Sequence, residues 1–144
     1  YHTMGVRSLL AMSVIGGAFV CLPRFAPEAA LGLIGKEKIT NLYLVPTLYH
    51  DLVHHPKFAD AAVSRVRTLG FAGASMTDGL LKRLDAAFKP DLFVNHFGSS
   101  EIYTFTVDQN AIAKPGSAGR AGINQIIKVV KPPGWALRMM ELAL

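Results

Sequence analysis

The chain has 144 residues, 51% hydrophobic and 17% charged, which supports one domain with a buried core and excludes a disordered chain. Lys and Arg (15) exceed Asp and Glu (10), for a formal charge of +5. The bases are scattered, with no arginine-rich tract or zinc-ligand spacing, so no nucleic-acid partner is expected. A single cysteine, Cys21, excludes an internal disulfide and fits an intracellular, cytoplasmic setting.

In chain order, Val6, Leu9, Leu10 and Val14 recur at helical spacing and predict a largely buried helix over 6–15. Gly16 and Gly17 end it, and 18–22 reads as a short strand holding Cys21 as a buried structural thiol. Arg7 and the two glycines interrupt this apolar stretch, which therefore falls short of the about 20 residues of a membrane span. Tyr1-His2-Thr3 ahead of Met4 argues against a secretory signal. Ala26-Pro27-Glu28 opens a helix that runs to about Lys36, with proline in its first turn.

The β-rich run 39–45, closed by Pro46, is a strand, and Thr47 is the expected N-cap of a helix over 48–54. Residues 66–71 form the next strand, ending in the small-residue turn Ala72-Gly73-Ala74-Ser75. Thr77-Asp78 caps a helix over 79–88 whose Leu80, Leu81, Leu84 and Phe88 share a face, and 92–97 is a further strand.

Strands alternating with helices predict an α/β fold, a mostly parallel sheet with flanking helices over 18–98. Beyond it, 103–107 and 126–130 read as strands of a second sheet, joined through the turn Lys114-Pro115-Gly116-Ser117. The tail 131–144 fits neither sheet. Neither end reads as a natural terminus, so the chain is expected to be a fragment. His50 and His54 are an i, i+4 pair able to bind a metal, but with no third ligand nearby they read as a solvated helix end.

The stretch Asn95-His96-Phe97-Gly98-Ser99-Ser100-Glu101 leaves the apolar run Leu92-Phe93-Val94 and concentrates the chemistry. An aromatic ring can stack on a purine, and Gly98 lets a ligand approach the backbone. Ser99 and Ser100 can donate to phosphate oxygens, and Glu101 is a hard oxygen ligand suited to Mg²⁺. Open α/β sheets bind ligands beyond the carboxyl ends of their strands, where this stretch falls.

Five stretches, in order, resemble those of the adenylate-forming enzymes, which include acyl- and aryl-CoA ligases, luciferases and peptide-synthetase adenylation domains. Tyr1-His2-Thr3-Met4-Gly5 is similar to their Tyr-His-x-x-Gly element, and Val45-Pro46-Thr47 to a strand-to-helix junction. Phe71-Ala72-Gly73-Ala74-Ser75-Met76 is similar to their Gly-Gly-Ala turn. Phe97 to Glu101 resembles Tyr-Gly-x-Thr-Glu, with phenylalanine for tyrosine and serine for threonine. Lys114 to Arg120 resembles the loop before the next strand. The likeness spans 1–130 and looks nearest to benzoate and 4-chlorobenzoate CoA ligases, placing 1–130 in the family's large AMP-binding domain.

The resemblance implies attack of a carboxylate on the α-phosphate of ATP, then displacement of AMP by a thiol, usually of CoA. It implies that Phe97 stacks on adenine beside Gly73 and Ala74, with Gly98, Ser99 and Ser100 at the nucleotide. Ser100 would donate to the phosphates and Glu101 would hold Mg²⁺. His2 would orient the carboxylate, and Thr3, Met4, His96, Gly98, Tyr103 and Thr104 would line the acyl pocket. The family's upstream phosphate loop, ribose-binding aspartate and C-terminal catalytic lysine are absent from these residues, so the isolated chain is expected to be inactive and to need the remainder of the ligase domain. The alternatives are an adenylation domain loading a carrier-protein thiol, and a truncated, non-catalytic nucleotide-binding or interaction module.

Overall fold

Alternation along three short apolar runs decides which side of the sheet becomes core. The computed structural model describes residues 3–59, 61–102 and 104–131. Strands β1 (Asn41–Leu44), β2 (Thr68–Ala72) and β3 (Leu92–Phe97) lie parallel and in chain order. Successive strand side chains point to opposite faces, so Leu42, Leu69 and Phe93, aligned by register, share one face. Tyr43, Gly70 and Val94 share the other.

Helices cover the first face. Helix α2 (Pro27–Lys36) contributes Ala30, Leu31 and Ile34, α3 (Pro46–His54) contributes Tyr49, Leu52 and Val53, and α4 (Asp78–Phe88) contributes Leu81, Leu84 and Phe88. Pro46 takes the first position of α3, where its missing N–H costs nothing. The N-cap is therefore Val45, which offers no side-chain bond, and Thr47 already lies inside the helix. Thr77 does cap α4, accepting from the Leu80 N–H. The Tyr49 hydroxyl is completely buried within 2.6 Å of the Leu42 carbonyl and 3.0 Å of the Gly70 carbonyl. Burial pushes this phenol's pKa up, so it stays a donor and ties α3 to two strands.

Three expectations change. First, helix α1 (Thr3–Ile15) forms but buries none of its residues, and Val14 (86%) and Ile15 (70%) stand exposed. The apolar stripe is real, yet no described element packs over it. Second, 18–22 joins no ladder and Cys21 is exposed, because this segment has no strand partner. Third, the strands after the motif do not begin a second sheet. Strand β4 (Thr106–Asp108) pairs antiparallel with β3, and β5 (Arg120–Ala121) pairs antiparallel with β4, completing one five-stranded mixed sheet. Residues 126–130 form no strand, and Ile126 is 98% exposed.

The two kinds of apolar residue should respond oppositely to substitution. Leu69→Ala, at a fully buried position, should cost about 2–5 kcal/mol in a urea melt. Val14→Glu with Ile15→Glu should leave the melt within roughly 0.5 kcal/mol per site while lowering binding of a hydrophobic dye. Unchanged dye binding would show that α1 is covered in solution.

Candidate functional site

The parallel strands β1, β2 and β3 end at one edge of the sheet, and their trailing loops converge there. Ala72 and His96 are register partners at the ends of β2 and β3. Gly73, at φ +87°, turns the chain away from β2 in the left-handed region that glycine alone enters freely. Gly98, Ser99 and Ser100 continue from β3. Helix α1 lies across this edge, and its Thr3, Met4, Arg7 and Ser8 fall on one face because residues three and four apart are neighbours on a helix. Together with Tyr43 these groups enclose a cavity of about 200 Å³.

Three side chains form its floor. The Arg7 guanidinium sits 5.0 Å from the centre of the Tyr43 ring, a cation–π contact. The Tyr43 and His96 rings are 5.7 Å apart, inclined at 47°. Both ring nitrogens of His96 are buried, and neither has a hydrogen-bond partner among the described residues. An unpaired buried polar atom typically costs about 1–3 kcal/mol. Burial, reinforced by the charge on Arg7, pushes the imidazole pKa down to about 4, so the ring is neutral at pH 7. The same three side chains border a larger groove, about 790 Å³, on the sheet face opposite the core.

The motif loop is open to solvent. Phe97 is 55% exposed, its ring 5.5 Å from that of Phe105. Glu101 is exposed, and a hydrogen bond from the Ser99 side chain, then one from its own amide, holds its carboxyl below the usual range. An ionised, accessible carboxylate suits Mg²⁺, which usually binds through one or two carboxylates plus substrate phosphates. Among the described residues no group of three His, Cys, Asp or Glu could hold a metal. His54 engages the His50 carbonyl through Nδ1 at 2.8 Å, in keeping with a solvated helix end.

The loop over 114–120, whose Lys114, Ser117 and Gly119 line the larger groove, is tied to β3 and β4. Asn95 donates to the Ser117 carbonyl at 2.8 Å, and Thr106 donates to that of Ala118. Gly119, at φ +82°, lies so close to β4 that a Cβ would come within 2.1 Å of the Val107 carbonyl oxygen.

Of the residues expected at the site, Thr3, Met4, Gly73, His96, Gly98, Ser99 and Ser100 are brought together around the smaller cavity. Phe97, Ala74 and Glu101 are exposed outside its lining, and Thr104 is buried away from it. His2 and Tyr103 lie outside the described residues. Arg7, Ser8, Tyr43 and Ala72 were not anticipated. Helical spacing from Thr3 and Met4 could have found Arg7 and Ser8. The central position of Tyr43 in its strand, opposite Leu42 and Leu44, could have placed it on the site face.

The model of the AMP-binding enzyme family matches residues 1–137, and the chain belongs to that family. Among curated relatives, the 4-chlorobenzoate–CoA ligase of Pseudomonas sp. (strain CBS-3) is 29% identical over 135 residues, covering 93% of this chain and 25% of the relative. The feruloyl-CoA synthase of Amycolatopsis sp is 31% identical over 123 residues, covering 83% and 24%. The chain thus spans about a quarter of the length of these relatives. Among solved structures, the N-terminal domain of FACL13 from Mycobacterium tuberculosis superposes with a TM-score of 0.75 at 24% identity, over 85% of this chain and 31% of that one. A benzoate CoA ligase from Burkholderia xenovorans LB400 gives 0.63 at 24% identity, over 73% and 22%. These likenesses establish the fold: a mixed, largely parallel sheet with flanking helices, as in adenylate-forming enzymes.

The neutral imidazole couples stability to pH. The folded chain binds the His96 proton only near pH 4, the unfolded chain already near 6.5, so this contribution is complete above pH 6.5 and is lost as pH falls through the window toward 4. His96→Phe should flatten that part of the pH dependence, read from urea midpoints at pH 7 and 4.5. Equal pH slopes for the two proteins would mean that His96 is solvated.

Proposed function

We propose that residues 1–130 are the central part of the large domain of an ATP-dependent carboxylate–CoA ligase, with 18–98 its parallel layer, 99–130 the following strands and 131–144 a separate tail. The reaction forms an acyl-adenylate from an aryl or acyl acid and passes the acyl group to CoA. The observation that carries this reading is the crevice at the strand ends, where Gly73 and the loop Gly98 to Ser100 meet Thr3 and Met4 from α1. Its supports are family membership and relatives named for 4-chlorobenzoate and ferulate. Relatives named as CoA ligases favour CoA over a carrier-protein thiol as the acceptor.

The first step brings two anions together, so neutralising charge is its main requirement. Phe97 offers an exposed ring to adenine, Gly73 and Ala74 a flat backbone edge, and Ser99 and Ser100 hydroxyl donors to phosphate. Glu101 would hold Mg²⁺, which when bound supplies positive charge to the phosphate oxygens. His2 would orient the carboxylate beside Thr3 and Met4. The isolated chain, a quarter of a relative's length, is expected not to turn over. No described helix is long and apolar enough to cross a membrane.

Carboxylate-dependent exchange of pyrophosphate into ATP by the full-length ligase tests the reading, and silence across a panel of aryl and acyl acids would refute it. Within that assay Glu101→Gln should raise the Mg²⁺ concentration for half-maximal exchange by roughly tenfold, about 1.4 kcal/mol of lost coordination. An unchanged Mg²⁺ requirement would remove Glu101 from the site.

A further inference from the structure

His96 presents a buried hydrogen-bonding demand that the described residues do not meet. Its side chain lies on the site face of β3, between Ala72 on β2 and Val107 on β4. Those two neighbours have no polar side-chain atom, and Tyr43 approaches with its ring. Neither Nδ1 nor Nε2 has a partner among the described residues. A neutral imidazole carries one N–H donor and one lone-pair acceptor. Such a ring is not the counter-ion of a carboxylate; it asks for a group that can both accept and donate.

The cavity above it restricts what can bring that group. At about 200 Å³ it falls below the roughly 300–1,000 Å³ of pockets for drug-sized ligands, so a single ring fills it. Tyr43 supplies an aromatic wall, and the guanidinium over it supplies positive charge. Helix α1 covers it, contributing Thr3, Met4, Arg7 and Ser8.

We propose that His96 is a specificity-determining residue that selects an aryl carboxylic acid bearing a ring hydroxyl over its unsubstituted counterpart. The inference rests on the reading that this crevice receives the acid being activated. A phenolic hydroxyl can donate to the bare imidazole nitrogen or accept from the N–H, so it pairs whichever nitrogen faces the cavity in either tautomer. An unsubstituted ring leaves both nitrogens buried and unpaired. A site built to pair a substrate hydroxyl rejects the analogue lacking it far more strongly than an apolar pocket rejects an extra methylene.

The test is pyrophosphate exchange by the full-length ligase with benzoate, cinnamate and their hydroxylated forms, comparing kcat/KM. Wild type should favour the hydroxylated acids by roughly ten- to hundredfold, and His96→Phe should bring the ratio close to one, mainly through KM for the hydroxylated acid. His96→Gln, whose carboxamide also donates and accepts, should restore most of the preference, which a merely structural role for the ring would not. Thermal melts of both variants establish that they fold. Exchange without hydroxyl preference, or a preference untouched in His96→Phe, overturns this inference and leaves the ligase reading standing. Exchange with no acid at all overturns both.

Discussion

The crevice depends on one close approach, the ring of Tyr43 lying against the backbone of Gly70. A Cβ at residue 70 would stand 2.0 Å from the ring's nearest carbon, so a side chain there would drive the tyrosine off the sheet. With the glycine in place the ring becomes a shelf. Arg7 rests on it, and through Arg7 the helix α1 acquires a position that its own apolar residues do not provide. His96 borders the same ring. Remove the shelf and Thr3, Met4 and Arg7 lose their fixed relation to Ser99 and Ser100.

Stability and chemistry are divided between the two faces of one sheet. Leu69, Phe71 and Phe93 meet three helices and bury their surface, while Tyr43 and His96 on the other side border cavities. Tyr49 links the two sides, since its hydroxyl reaches the carbonyl of Gly70, the residue beneath the tyrosine shelf. The antiparallel strand β4 adds a second support: Asn95 and Thr106 hold the loop over 114–120 against β3 and β4.

Legibility in the sequence followed the range of the interactions involved. Helices α2 and α4 and the strand 92–97 were readable because proline, a threonine cap and a period of 3.6 or 2 are written locally. The segment 18–22 has the composition of a strand, but a ladder needs a neighbour, and none of the described strands lies beside it. The same blindness made α1 look buried: a stripe of Leu and Val states a preference, and only tertiary contact fulfils it. The run 103–107 read as part of a new sheet because a shift from parallel to antiparallel pairing leaves no mark in the sequence, and β5 is too short to show as a strand. At the site, the turn at Gly73 and the loop from Gly98 were legible as motifs. The shelf was not, since it joins residues 7, 43, 70 and 96 from four separate elements.

The electrostatics of the crevice follow from that same assembly. Arg7 brings a guanidinium over an aromatic face. The charge that Arg7 brings also helps keep His96 neutral, so the two side chains do not compete for the role of cation. Glu101 is held ionised by Ser99 and its own amide. Between about pH 5 and 8, where an unperturbed histidine would titrate, these three groups therefore keep one charge pattern: positive on α1, neutral at the sheet, negative at the loop tip. On the proposed reading, an anionic acid entering between them would meet a fixed field, and discrimination among such acids would fall to the neutral group, which pairs by hydrogen bonds and not by charge.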